Sequence, residues 1–182
     1  NPTFDEINDF ALKLTNGDMT EWRKSLVLPD KKVVALMPGS RRQEIERNLP
    51  MMLHACRGVG GDYVYVVASA PNMDKGYYDA IIASAVGNTD EDFAKRVVLM
   101  PSQGSNSSFM LLRHAHAALV TSGTATLETA IIGVPQVVCY SMACGKLVSL
   151  LRRLFLKVRY VSLVNLITGH LLVPELVAGD MT

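Results

Sequence analysis

The stretch Val33-Val34-Ala35-Leu36-Met37-Pro38-Gly39-Ser40-Arg41 decides the fold: a short apolar run ends in a glycine turn that opens a helical pattern. The same arrangement returns where Ala117–Val120 runs into Thr121-Ser122-Gly123-Thr124. In a doubly wound parallel sheet, strand-to-helix turns gather at the carboxyl edge, where ligands bind. Backbone N–H groups at a helix start, aided by the helix dipole, hold anions such as phosphate. Two such turns facing one another form a crevice suited to a nucleotide diphosphate.

Strands and helices alternate outward from these turns. Val33–Met37 reads as a buried strand, and Arg41–Gly58 as a helix with Ile45, Leu49, Met52 and Leu53 on one face. Tyr63–Ala68, Val97–Met100, Ala117–Val120 and Gln136–Tyr140 read as further strands. Lys75–Val86, Phe109–His114 and Thr124–Ile132 read as helices, with a Ser/Gly/Asn loop over 102–108 and the turn Gly133-Val134-Pro135 between them. Residues 3–28 carry Phe4, Ile7, Phe10, Ala11, Leu14, Trp22 and Leu26 at helical spacing, until Pro29-Asp30 breaks the pattern. Strands separated by helices imply parallel pairing with right-handed crossovers. The expected order is 3-2-1-4-5, a Rossmann-type α/β sheet. Strands 1 and 4 are then neighbours, and the two glycine turns stand side by side. The expected organisation is a helical lead-in over 1–30 and a Rossmann-like domain over 31–182.

A chain of 182 residues suits one domain with a substantial core. Its 49% hydrophobic and 19% charged residues are globular in character, and a net charge of +1 makes no general case for nucleic acid. Charge is unevenly spread, however. No Asp or Glu lies between Glu128 and Glu175, a stretch that holds Lys146, Arg152, Arg153, Lys157 and Arg159. Over Lys146–Tyr160 an apolar stripe of Leu147, Leu150, Leu151, Leu154, Phe155 and Val158 is flanked by those cations, with Leu156 set inside the basic face. Such a stretch is either a core-packed helix with a solvated face or an element attracted to an anionic membrane surface.

Cys56, Cys139 and Cys144 lack disulfide or metal spacing and read as buried thiols in a reducing compartment. No apolar run is long enough to cross a membrane and no signal peptide is recognisable, so the expected location is the cytoplasm or a cytoplasmic membrane face. The chain begins at Asn1 without a methionine and is expected to be part of a longer protein.

At the first turn Ser40 can cap the following helix, with Gln43 completing a capping box. Arg41 suits bidentate contact with phosphate, whereas Arg42 and Arg47 are expected on the solvated helix face. At the second turn Ser122, Thr124 and Thr126 surround Gly123, and Glu128 follows one helical turn after Thr124. A carboxylate there either accepts ribose hydroxyls or merely complements the helix dipole. His114 and His116 read as structural because no third metal ligand lies near, and His54 and His170 are single. Asp90, Glu91 and Asp92 read as a solvated loop.

Leu36-Met37-Pro38-Gly39-Ser40-Arg41-Arg42-Gln43-Glu44-Ile45, Ser122-Gly123-Thr124-Ala125-Thr126-Leu127-Glu128, Tyr160-Val161-Ser162-Leu163-Val164-Asn165 and Val173-Pro174-Glu175-Leu176, in this order, resemble the carboxyl-terminal half of the lipid-A-disaccharide synthase family. The resemblance covers nearly the whole chain. It implies half of a GT-B glycosyltransferase: a UDP-sugar donor domain reached by a lead-in from the interdomain region, without the acceptor half, its catalytic acidic residue (the expected base) or the family's final helices. The family joins UDP-2,3-diacylglucosamine to 2,3-diacylglucosamine 1-phosphate with inversion, releasing UDP and needing no metal or other cofactor.

By the resemblance, Gly39, Ser40, Arg41, Ser122, Gly123 and Thr124 would meet the donor diphosphate, Glu128 the ribose, and Asn165 would line the donor site. The implied partners are the UDP-diacylglucosamine donor, a lipid acceptor held by the other domain, and an anionic inner-membrane surface of a Gram-negative-type bacterium. Lys146, Arg152, Arg153, Leu156, Lys157 and Arg159 are the candidate contacts with that surface. Two departures stand out: the family's usual Pro is Val164, and Val177-Ala178 replace a usual Gln. A UDP-N-acetylglucosamine 2-epimerase-like or other GT-B enzyme, and a non-catalytic nucleotide-binding module, remain alternative readings.

Overall fold

The computed structural model describes residues 16–87, 90–102, 107–140, 160 and 162–177. The cationic and apolar positions 146–159, Cys144 and the first helical positions of the lead-in lie outside these residues. The described chain runs α1 (Asn16–Ser25), β1 (Lys32–Met37), α2 (Arg42–Arg57), β2 (Tyr63–Ala68), α3 (Lys75–Val86), α4 (Glu91–Ala94) and β3 (Val97–Met100). It continues with α5 (Ser107–His114), β4 (Ala115–Thr121), α6 (Thr124–Ile132), β5 (Gln136–Tyr140), α7 (Leu163–Thr168) and β6 (Glu175–Val177).

The strands form one parallel sheet in the order β3-β2-β1-β4-β5-β6. The expected order holds, with a sixth strand added beside β5. Successive strand residues face opposite sides, so strands covered on both faces need apolar residues at every position. Val64, Val66 and Ala68 pack with Val33, Ala35, Met37, Ala118 and Val120 against Trp22 of α1, Leu111 and Leu112 of α5, and Ala125 of α6. Tyr65 and Val67 pack with Leu36 and Cys139 against α2, through Ile45, Leu49, Met52 and Leu53, and against Tyr78 of α3 and Phe93 of α4.

Helices α2 and α6 therefore leave the neighbouring strands β1 and β4 toward opposite faces. That divergence is the topological switch point, and it opens a crevice above the carboxyl ends of those two strands.

The acidic run at 90–92 departs from the expected solvated loop. Asp90 caps a single helical turn by accepting from the Phe93 amide at 3.0 Å, and Phe93 is fully buried. Arg57 lies 3.7 Å from the Asp90 carboxylate and stacks on the Phe93 ring. His114 stacks on Trp22 with ring centroids 4.7 Å apart, and His116 faces Tyr63 at 6.3 Å. No cluster of three or more potential metal ligands occurs among the described residues, and none of their helices is long and apolar enough to cross a membrane.

Candidate functional site

Both glycine turns converge on one cleft of about 440 Å3, within the usual range for small-molecule sites. Gly39, Ser40, Arg41, Ser122, Gly123, Thr124 and Glu128 all line it, and the loop after β2 contributes Ser69, Ala70 and Pro71. The seven cleft-lining candidates from the two turns and α6 are therefore gathered in one place.

The turns differ in what they offer. At the first, the helix cap lies one residue later than expected. Arg41, with extended backbone, is the N-cap, and Glu44 rather than Gln43 closes the box. The Glu44 Oε2 accepts from the amides of Ser40 and Arg41 at 3.2 and 3.3 Å, and its Oε1 accepts from the Arg41 guanidinium at 3.1 Å. A carboxylate thus sits on amides that the resemblance assigns to phosphate. Gly39 makes room for it: its φ is +110°, and an added Cβ would stand 2.6 Å from the Glu44 Oε2. The Arg41 side chain remains 84% exposed at the cleft mouth. Arg42 lies outside the cleft, paired with Glu46 and stacked on Tyr77, and Arg47 is exposed.

At the second turn Gly123 is the N-cap of α6 with φ +153°, and as a glycine it offers no capping side chain. The Thr126 hydroxyl turns inward and donates to the Gly123 carbonyl at 2.7 Å, which fixes the turn and buries the threonine. The N-cap of α6 thus brings no side chain of its own to the helix start, in contrast to the start of α2, where Arg41 and Glu44 form a capping box. Glu128, one helical turn further on, is half-buried on the cleft wall.

Asn165 is placed differently from the other candidates. It is fully buried and does not line the cleft. Its amide nitrogen donates to the Val173 carbonyl and the Glu175 carboxylate at 2.9 and 2.7 Å. Its oxygen accepts from the Leu172 and Val173 amides at 2.8 and 3.0 Å. That uses both donors and both lone pairs of the side chain. Asn165 therefore staples α7 to the start of β6, and Val164, in the place of the usual Pro, is buried beside it.

Two contributors are invisible in the turn motifs themselves. Glu44 carries a signal in retrospect, because an acid three residues after an N-cap is the usual partner in a capping box. Asn48 is the other. It interrupts the apolar face formed by Ile45, Leu49 and Met52, and it is 2% exposed. Its amide nitrogen donates to the Pro38 carbonyl at 3.2 Å and to the Thr121 hydroxyl at 2.9 Å, so it touches both turns.

Away from the cleft, Cys56 and Cys139 are buried free thiols. Burial pushes Cys56 up to about 12 and Cys139 up to about 11, which makes both poor nucleophiles.

Comparison with known proteins gives the family of the chain. The family described as lipid-A-disaccharide synthetase matches residues 11–182. The lipid-A-disaccharide synthase of Acidobacterium capsulatum is 35% identical over 160 residues, which is 85% of this chain and 38% of that protein. That of Anaeromyxobacter sp. is 33% identical over 175 residues, covering 94% of this chain and 42% of the relative. The chain thus spans about two fifths of the length of these relatives.

Among solved structures, the E. coli ADP-heptose LPS heptosyltransferase II superposes with a TM-score of 0.54 at 15% identity, over 71% of this chain and 39% of that one. The UDP-GlcNAc 2-epimerase of Methanocaldococcus jannaschii gives 0.52 at 13% identity, over 91% of this chain and 40% of that one. Those similarities identify the fold, a Rossmann-like half of a GT-B architecture. The match across residues 11–182, together with the motifs gathered at the cleft, places the chain in the lipid-A-disaccharide synthetase family.

Proposed function

We propose that this domain binds the UDP portion of UDP-2,3-diacylglucosamine in an inverting glycosyltransferase that makes the lipid A disaccharide 1-phosphate. The observation that carries the reading is the convergence of both glycine turns and Glu128 on one cleft at the switch point. In this reading the amides at Gly123 and Thr124 and the Arg41 guanidinium meet the diphosphate, and the Glu128 carboxylate accepts the ribose hydroxyls.

The acceptor 6-hydroxyl oxygen attacks the donor anomeric carbon from the face opposite the diphosphate. The bond from that carbon to the β-phosphate oxygen breaks, and UDP leaves with the electron pair. A base outside this chain takes the hydroxyl proton. The chain's own contribution is electrostatic, because cationic and amide groups fixed around the leaving diphosphate stabilise the charge that develops on it. No metal or organic cofactor is invoked. The acceptor lipid belongs to the remainder of the enzyme.

The basic, apolar stretch over 146–160 attaches the protein to anionic lipid at the inner membrane, a reading supported by its sequence alone. Flotation with anionic vesicles tests this, and failure to float refutes it.

Calorimetric titration with UDP and with ADP tests the donor site. Binding of UDP in preference to ADP is expected, with a loss of about tenfold for Arg41→Ala or Glu128→Ala, the scale of a charge-assisted hydrogen bond. Absence of UDP binding, or indifference to both substitutions, overturns the assignment.

A further inference from the structure

The hydrogen-bonded ladder between β1 and β4 ends at the pair Met37 and Val120. Beyond it the two chains separate into the turns that flank the cleft. Asn48, from α2, fills the split. Its amide nitrogen reaches the Pro38 carbonyl on one side and the Thr121 hydroxyl on the other, across 73 positions of sequence. The amide orientation is fixed chemically, because the Pro38 carbonyl can only accept. Thr121 shares a strand face with Leu119, the face covered by α2, so its hydroxyl is delivered toward Asn48. Both groups that Asn48 grips belong to cleft-lining residues.

A polar side chain 2% exposed within an apolar helix face is costly, and the Asn48 Oδ1 has no hydrogen-bond partner among the described residues. Leucine would suit the packing better. Asparagine provides what leucine lacks, a donor common to both turns.

We propose that Asn48 is a positioning residue for the donor diphosphate: by bonding Pro38 and Thr121 together it sets the gap between the two turns that hold the phosphates. The inference rests on the donor-site reading above. A diphosphate touching both turns is sensitive to their separation, since misplacement of the order of 1 Å weakens contacts strongly. The uridine moiety does not bridge the turns and is insensitive to that gap.

The test is calorimetric titration of the protein with UDP and, separately, with uridine. Asn48→Leu and Thr121→Val each remove the bridge, and Thr121→Ser restores the hydroxyl. Each of the first two is expected to weaken UDP about tenfold while changing uridine less than about twofold, the scale of one or two lost hydrogen bonds. The double variant is expected to bind UDP no more weakly than the poorer single, because both act on one contact. Thr121→Ser is expected to bind as the wild type does.

Additive losses in the double variant, equal losses for uridine and UDP, or unchanged UDP affinity in folded variants each overturn the inference. If Asn48→Leu does not fold, the Thr121→Val and Thr121→Ser pair decides the matter by the same ratio. Wild-type protein that binds no UDP removes the donor-site reading and this inference together. Normal UDP binding that survives the substitutions removes the inference alone.

Discussion

At the scale of single residues, Glu44 shapes the cleft as much as the glycines do. Its carboxylate already occupies the Ser40 and Arg41 amides and pairs with the Arg41 guanidinium. A phosphate oxygen entering that corner meets a like charge or displaces it. Glu44→Gln keeps the size and an acceptor for the amides but removes the charge. UDP affinity is therefore expected to rise about two- to fivefold, the scale of about 0.4–1 kcal/mol for an exposed ion pair; unchanged or weaker binding by calorimetry refutes the argument. Gly39 is constrained twice, by φ and by the carboxylate packed against its Cα. Gly39→Ala should lower stability by about 1–2 kcal/mol, since it forces both an unfavourable backbone region and a clash. A denaturant titration with an unshifted midpoint contradicts this.

At the scale of elements, the segment from α7 to β6 depends on the internal bonds of Asn165 rather than on local propensity. Asn165→Ala removes four hydrogen bonds from a fully buried site, and a loss of about 3 kcal/mol is expected from unfolding curves. A variant of unchanged stability with impaired UDP binding would instead return Asn165 to direct donor contact.

The same dependence explains what the sequence reveals and what it hides. The central strands are legible because each is an apolar run punctuated by a glycine turn or a helix, and Tyr63–Ala68, Val97–Met100 and Gln136–Tyr140 have the expected bounds. The cleft was legible from Gly39 and Gly123 together with the strand order. The single turn at Glu91–Ala94 and the three residues of β6 are too short for any period to show, and their placement comes from Phe93 in the core and Glu175 bonded to Ser162 and Asn165. The role of Asn48 is equally nonlocal, because its partner Thr121 is supplied by a strand far along the chain.

Across the whole molecule, the two layers of helices bury groups whose ionisation the fold opposes. Cys56 is raised from 9.0 to about 12, first by burial and then by the neighbouring Cys139. Tyr65, whose hydroxyl donates to the Cys56 carbonyl, is raised as well, chiefly by burial. A raised thiol binds its proton more tightly in the folded state than in the unfolded one. Its contribution is therefore complete below 9.0 and is lost as pH climbs from there toward 12. Melting temperature is expected to fall across that alkaline window, and less steeply in Cys56→Ala. Parallel slopes for the two proteins would remove the thiol from the explanation. Both cysteines are also expected to resist alkylation until denaturant opens the core, as mass spectrometry after brief labelling can check.

The adjacency of β1 and β4 has a temporal consequence. Leu36 aligns with Leu119, so this ladder closes a far longer loop than the pairing of β1 with β2. A growing polypeptide emerging from the ribosome can assemble β1, β2 and β3 with their helices while β4 has yet to be synthesised. The crevice is completed only when the later-made β4 slots in beside β1, so the candidate site matures after half the described sheet already exists.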